Sequence, residues 1–361
     1  MARISSPARS PLPPALLTIR EVAFGGKGVA RHDGKVVFVP YVLEEEVILA
    51  STVREHKSFT EAKLNRVLQP SSHRVEPPCP YFTHCGGCSY QHATYEHQLT
   101  IKHAQVRDIL RRIGKLEAAV EPTVPSPLPF AYRNRITVHV REGDVGFFAT
   151  GGQDLLPIDR CLLASEEVNA QLARLHLDRP RDGHYTLREH RETRTFRQTN
   201  DAVAALLVEA VGNALPAGGP LLIDAYCGSG FFLKKFLPRF AQAIGLEWSQ
   251  YAVATARESV AGHETYLQGD VALLLEDTLT WAPPGTVLLL DPPAEGLAPQ
   301  VIRSILAHPP AQITYVSCNP ATLARDLGKL AGLYQLTRVQ PFDMFPQTAE
   351  IEVLAQLTLN T

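Results

Sequence analysis

The downstream half of the chain alternates short apolar runs with longer segments of helical periodicity. Runs at Leu221–Asp224, Ala243–Glu247, Tyr266–Asp270, Val287–Asp291 and Ile313–Ser317, a segment ending near Phe345, and Ile351–Leu357 predict seven strands. Helical patterns lie between most of them, Ala202–Ala214 for instance. This rhythm predicts a doubly wound α/β sheet with its ligand at the carboxyl ends of the strands. Upstream, from Leu16 to about Pro70, the text reads as short strands separated by turns. Gly25–Arg31 leads into Asp33-Gly34, a hairpin signal, then Lys35–Pro40 and a further strand from Glu46 to Val53. A small barrel of the OB kind fits this spacing, and so does any other small β-module.

Between these halves, Pro77-Pro78-Cys79 breaks the chain and a cysteine-rich loop runs to Cys88. Tyr95–Ile113 is predicted as a helix with Leu99, Val106, Ile109 and Leu110 on its apolar stripe. Ile136–Val140 and Val145–Phe148 read as strands of a central domain. The stretch from Arg179 to Arg197 holds six arginines against three acids, which suits a solvated linker or an RNA-facing strip.

Composition is that of an ordinary soluble chain: 361 residues, 45% of them apolar, with no run long enough to span a membrane. Met1–Pro14 lacks the apolar core of a signal peptide and reads as a disordered tail, so a cytoplasmic protein is expected. The net charge of −2 conceals an asymmetry. Residues 1–150 carry 19 Lys and Arg against 14 Asp and Glu, and residues 151–361 carry 16 against 23. A basic front half joined to an acidic back half is compatible with an RNA-reading module fused to a catalytic one.

The chemistry concentrates at the predicted strand ends. Asp224-Ala225-Tyr226-Cys227-Gly228-Ser229-Gly230 follows the first strand, and Leu233 stands where a dinucleotide fingerprint would place its third glycine. Glu247, Asp270 and Asp291 end the next three strands. Four acids in this arrangement suit an adenosine ligand with a cationic group, S-adenosylmethionine, better than a pyrophosphate; the alternative is that each acid caps a following helix. Cys318 ends the fifth strand and is followed by Asn319-Pro320, a helix start whose partial charge favours a thiolate nucleophile. Glu350 and Glu352 open the last strand two residues apart, one of them a candidate base. Cys79, Cys85 and Cys88, with Cys161 as the fourth candidate, suit tetrahedral zinc and an iron–sulfur cluster equally well by softness.

Together these stretches resemble the family of RNA uracil-C5 methyltransferases that carry a TRAM domain and a 4Fe–4S cluster, over nearly the whole chain from about Leu17 to Leu357. Gly26-Lys27-Gly28-Val29-Ala30 and Phe38-Val39-Pro40 are similar to the TRAM core, and Cys85-Gly86-Gly87-Cys88-Ser89-Tyr90-Gln91-His92 to the cluster loop. The resemblance implies an OB-like TRAM domain at 15–72, a central α+β domain with the iron–sulfur loop at 73–192, and a Rossmann-like methyltransferase domain at 193–361. It implies Cys79, Cys85, Cys88 and Cys161 as cluster ligands. Phe196-Arg197-Gln198-Thr199-Asn200 resembles the motif that brings Gln198 to S-adenosylmethionine, and Tyr226, Glu247, Asp291 and Asp270 match further cofactor contacts. Ser317-Cys318-Asn319-Pro320 resembles the nucleophile motif, and Phe345-Pro346-Gln347-Thr348 with Glu352 resembles the segment of the catalytic base.

The expected function is therefore 5-methyluridine formation in RNA, with 23S ribosomal RNA the first expected target and the T-loop of transfer RNA the second, by a monomer without a membrane partner. Four positions depart from the family pattern. Ala294 replaces an arginine after Asp291-Pro292-Pro293, Glu350 replaces a histidine two before the base, Arg197 stands for an aromatic residue and Phe231 for a small or polar one. Two rival readings follow: an RNA-binding protein whose catalytic domain has decayed, and a cytosine-C5 enzyme, for which Cys227 is poorly placed as a second cysteine.

Overall fold

A computed structural model describes residues 14–178, 180–189 and 198–360. The tail and the Phe196-Arg197 pair therefore lie outside the described residues, as does most of the arginine run beyond Arg188. The chain forms two compact units, one of Met1–Gln98, Phe148–Asp154 and Gln347–Ala349, the other of Leu99–Phe147, Leu155–Pro346 and Glu350–Thr361. Among the described residues no helix is long and apolar enough to cross a membrane.

The first unit is built on a six-stranded sheet. Its spatial order is Ala15–Thr18, Val47–Glu55, Phe59–Gln69, Lys35–Pro40, Lys27–His32, Glu21–Val22. Lys27–His32 and Lys35–Pro40 form the predicted hairpin, and Asp33 and Gly34 both take positive φ, 48° and 78°. Two such residues match the right-handed twist of the flanking strands, which is why Asp-Gly is a strong hairpin signal. Three register shifts between Val47–Glu55 and Phe59–Gln69 mark bulges or irregularities, which bend a strand pair. The two edge strands do not pair with each other, so the sheet is a half-barrel. The chain passes from one edge to the other at Ile19–Arg20, whose amides donate to the Glu46 and Val29 carbonyls at 2.9 and 2.8 Å.

The second unit holds two sheets. The smaller is antiparallel, in the order Gly183–Arg188, Arg135–Arg141, Asp144–Phe148, Leu155–Pro157. The larger has seven strands ordered Glu264–Gln268, Phe240–Glu247, Gly219–Ala225, Val287–Leu290, Gln312–Ser317, Glu352–Leu359, Tyr334–Phe342. Its first five strands are parallel, and Glu352–Leu359 inserts antiparallel to both neighbours.

Successive residues of the central strands enter two separate cores. Leu221, Ile223, Leu288 and Leu290 pack with the helices Val271–Trp281, Pro299–Ala307 and Pro320–Leu330. Leu222, Val287 and Leu289 pack with Asp201–Ala214 and Gln250–Arg257 on the other side. Period-two alternation between two apolar faces is what makes the sheet doubly wound and leaves only its strand ends for polar chemistry. The helix Tyr95–Ile109 ends earlier than periodicity predicts and closes through a π-helical turn, Leu110–Gly114. At Gly114 a Cβ would lie 2.8 Å from the Ala324 carbonyl oxygen, so this turn packs directly on the helix Pro320–Leu330.

Candidate active site

Glycine and left-handed backbone shape the loop after Gly219–Ala225. Tyr226, Gly228 and Gly230 have φ of 67°, 55° and 83°. A Cβ at Gly230 would fall 2.7 Å from the Tyr266 hydroxyl, so the loop depends on glycine there both for conformation and for space. Cys227 is buried beneath it, and burial raises its thiol far above the ordinary range, so it is a packing residue.

Acids collect around this loop. Asp224 is fully buried; its Oδ2 accepts from the Leu233 amide at 3.0 Å, while Oδ1 has no hydrogen-bond partner among the described residues. Desolvation raises its pKa well above the usual carboxylate range, and Asp291 and Glu247 raise it further. Glu247 accepts from Gly228 at 3.0 Å and from Ser249 at 2.8 Å. Asp291 directly follows the strand Val287–Leu290, and burial pushes its carboxyl up to about 7. Asp270 does cap a helix, through Oδ1 and the Ala272 amide at 2.9 Å, so the capping alternative holds at that residue. It also lines, with Tyr226, Trp248, Gln268 and Ala298, a cavity of about 450 Å³. Burial, and then Asp270, push the Tyr226 hydroxyl up to about 12. Gln198 lies on a different cavity, of about 570 Å³, beside Phe231 and Lys235. The orphaned oxygen of Asp224, the glycine loop and the acids crowding Asp224 fit an adenosine ligand bearing a positive charge.

Cys318 and Glu352 are brought together by strand pairing. Ser317 is the register partner of Val353, so Cys318 and Glu352 occupy the next position along the same antiparallel pair. Cys318 is exposed, whereas Glu352 is 3% exposed. Asn319 caps the helix Pro320–Leu330 by accepting from the Ala321 amide at 3.0 Å, and its Nδ2 donates to the Ala294 carbonyl at 3.0 Å. Cys318 thus precedes a helix N-terminus, as the sequence implies, but its thiol is not lowered. Burial pushes it up to about 11, and Glu352, Asp291 and Glu350 add to the rise. A helix terminus contributes only ~0.3–1 kcal/mol to a nearby anion at an exposed position, too little to outweigh desolvation and three acids. Glu352 is itself raised well above the usual range by burial, then by Asp291 and Glu350. Glu350 is exposed in the loop before the strand rather than within it.

The cysteine loop presents a different picture. The Gly87 amide donates to the Cys85 sulfur at 3.4 Å, and Gln91 Nε2 donates to the Cys88 sulfur at 3.1 Å. Cys161 belongs to the second unit, where Asn169 Oδ1 accepts from its amide at 3.0 Å. Among the described residues, no group of three or more His, Cys, Asp or Glu side chains is arranged to hold a metal ion. The thiol donors themselves are chemically apt for iron or zinc.

Sequence patterns miss two residues of this region. Lys102 sits mid-helix among polar residues and reads as solvated, yet it is wholly buried. Trp248 is 73% exposed at the rim of the Tyr226–Asp270 cavity, and only its place directly after Glu247 hints at it.

Comparison with known proteins extends the picture. Residues 284–359 match the model of the tRNA (uracil-5-)-methyltransferase family. The chain is 34% identical to an RNA methyltransferase of Bdellovibrio bacteriovorus, covering 96% of this chain and 95% of the relative. One from Halalkalibacterium halodurans is 29% identical, with 95% and 96% covered. The fold is similar to that of the Pyrococcus abyssi tRNA (uracil-54, C5)-methyltransferase in complex with S-adenosyl-L-homocysteine. That likeness has a TM-score of 0.74 and 22% identity, over 95% of this chain and 100% of that one. The chain belongs to the RNA methyltransferases, and its residues 284–359 carry the match to the (uracil-5-)-methyltransferase model.

Proposed function

We propose that Cys318 is the nucleophile and Glu352 the general base of uracil-C5 methylation in RNA. The observation that carries this reading is the strand register that sets an exposed thiol beside a buried carboxyl at the ligand-bearing edge of the sheet. Carbon 5 of uracil is a poor nucleophile until a thiolate adds to carbon 6 and pushes electron density onto it. When bound, S-adenosylmethionine supplies the methyl group and a positive charge that offsets the surrounding carboxylates. Gln198, Tyr226, Glu247, Asp270 and Asp291 are the proposed residues for holding it. Cys318 forms the sulfur–carbon bond at carbon 6. Glu352 then takes the proton from carbon 5, the electron pair restores the ring double bond, and the thiolate leaves.

The first proposed target is 23S ribosomal RNA, as the family resemblance implies. Transfer RNA is the second, supported by the likeness to an enzyme acting on uracil 54 of transfer RNA. Purified protein supplied with labelled S-adenosylmethionine and, separately, unmodified transcripts of the two RNAs is expected to form 5-methyluridine in one of them. Folded, cofactor-binding protein that labels neither would overturn the reading in favour of a decayed RNA-binding protein.

A 4Fe–4S cluster is also proposed, supported by the spacing of Cys79, Cys85 and Cys88 with Cys161 expected as the fourth ligand, and by the donors on two of the sulfurs. Anaerobically purified protein is expected to contain four irons and four sulfides per chain. Stoichiometric zinc without sulfide would replace the cluster with a structural zinc site.

A further inference from the structure

We propose that Lys102 is a positioning residue for the catalytic base, a role that rests on Glu352 being that base. Lys102 lies on the helix Tyr95–Ile109 and is 0% exposed. Its ammonium donates to Asp343 Oδ1 at 2.6 Å, to the Phe345 carbonyl at 3.1 Å and to the Glu350 carbonyl at 2.8 Å. An ammonium has three protons, and here each has one acceptor.

The placement of those acceptors gives the contact its meaning. Tyr334–Phe342 and Glu352–Leu359 are paired strands, with Phe342 opposite Glu352. Asp343 is the first residue beyond one strand, and Glu350 lies two residues before the other. One buried cation therefore pins both ends of the loop that delivers Glu352 to the sheet edge. Neutral donors hold the loop between, among them Asn200 Nδ2 to the Met344 carbonyl at 3.3 Å, the Tyr132 hydroxyl to the Pro346 carbonyl at 3.1 Å, and the Ser89 and Tyr90 amides to the Gln347 carbonyl at 2.8 and 3.0 Å. Asn200 stands two residues after Gln198 and caps the helix Asp201–Ala214, so the tether joins the loop to an element of the proposed cofactor site.

A buried ion pair is seldom the best way to stabilise a fold, because a matched apolar pair avoids the desolvation cost. What an apolar pair cannot do is hold two backbone carbonyls in register. Displacement of a reacting group by about 1 Å costs on the order of 10²-fold in rate. Lys102→Met is therefore expected to slow methyl transfer about 100-fold with little change in cofactor affinity.

Three readouts separate positioning from a merely structural part. RNA carrying 5-fluorouridine has no removable proton at carbon 5, so its covalent adduct with Cys318 forms without the base. Lys102→Met is expected to form that adduct as the unmodified protein does while turnover falls, and ordinary RNA is expected to accumulate adduct as it does with Glu352→Gln. Peptides spanning 343–352 should exchange amide hydrogen faster, with those spanning 312–330 unchanged. The double variant Lys102→Met with Asp343→Leu removes the charge pair as a unit, keeps the fold if the single variant does not, and is expected to give the same pattern. Normal turnover and normal exchange in either folded variant overturn the proposal, as does a parallel loss of adduct and turnover. A Glu352→Gln protein with normal turnover instead overturns the base assignment, whatever Lys102→Met shows.

Discussion

Replacing Cys318 by serine is expected to lower methyl transfer by on the order of 10⁴-fold or more, as removal of a nucleophile from a concerted set does. No denaturation-resistant complex with RNA should form. The physical basis is the difference between sulfur and oxygen at this position: a hydroxyl is far less acidic than a thiol, and this site already holds the thiol up to about 11. Serine would face the same partial desolvation and the same three acids with no accessible ionised form. Cys318 is exposed and Ser differs from it by one atom, so stability should move by no more than ~0.5 kcal/mol. Thermal unfolding and S-adenosyl-L-homocysteine binding that match the unmodified protein, beside absent turnover, are the expected result. Substantial residual turnover would place the nucleophile elsewhere.

Glu352→Gln is expected to give the opposite signature at the RNA, because addition to carbon 6 proceeds while loss of the carbon-5 proton does not. Covalent complex should accumulate and turnover fall by ~10²–10⁴-fold. The same change should stabilise the fold at neutral and alkaline pH. The folded pKa of Glu352 is raised, by burial first and then by Asp291 and Glu350. Its favourable contribution to folding is complete below the unfolded value of about 4.3 and is lost as pH rises through the folded pKa. Glutamine keeps the same shape and carries no charge at any pH. The melting temperature of the variant should therefore exceed that of the unmodified protein by a margin that grows with pH, at about 2–4 °C per kcal/mol for a unit of this size. Activity of the unmodified enzyme should itself climb with pH, since both proposed groups act in their ionised forms and both are shifted upward. A variant without a stability gain at pH 8 would contradict the buried, charge-crowded setting of this carboxyl.

The parts of the fold legible in the sequence are those where one physical signal dominates. The run Val287-Leu288-Leu289-Leu290 is uniformly apolar, a pattern with no use outside an element buried on both sides. Asp33-Gly34 is legible because positive φ at two successive positions strongly selects such residues. The strand Phe59–Gln69 is harder to read: only Thr60 and Ala62 of its eleven residues are buried, so its pairing rests on backbone bonds rather than on an apolar stripe. The thiol of Cys318 is misjudged from sequence for a related reason. The helix start is local and visible in Asn319-Pro320, whereas the carboxyls that outweigh it come from residues 27 positions upstream and 32 to 34 downstream. Lys102 is invisible for the same cause, its partners lying 241 to 248 positions away.

Methyl transfer turns a sulfonium into a neutral thioether, so the donor arrives as a cation and departs without its charge. In the proposed cofactor site, the acids Asp291 and Glu247, whose charges are felt at the buried Asp224, therefore favour the incoming molecule over the outgoing one by electrostatics alone, although the two share nearly every atom. In a site of that kind the spent donor is the weaker ligand, and its exchange for a fresh charged molecule runs downhill in electrostatic energy.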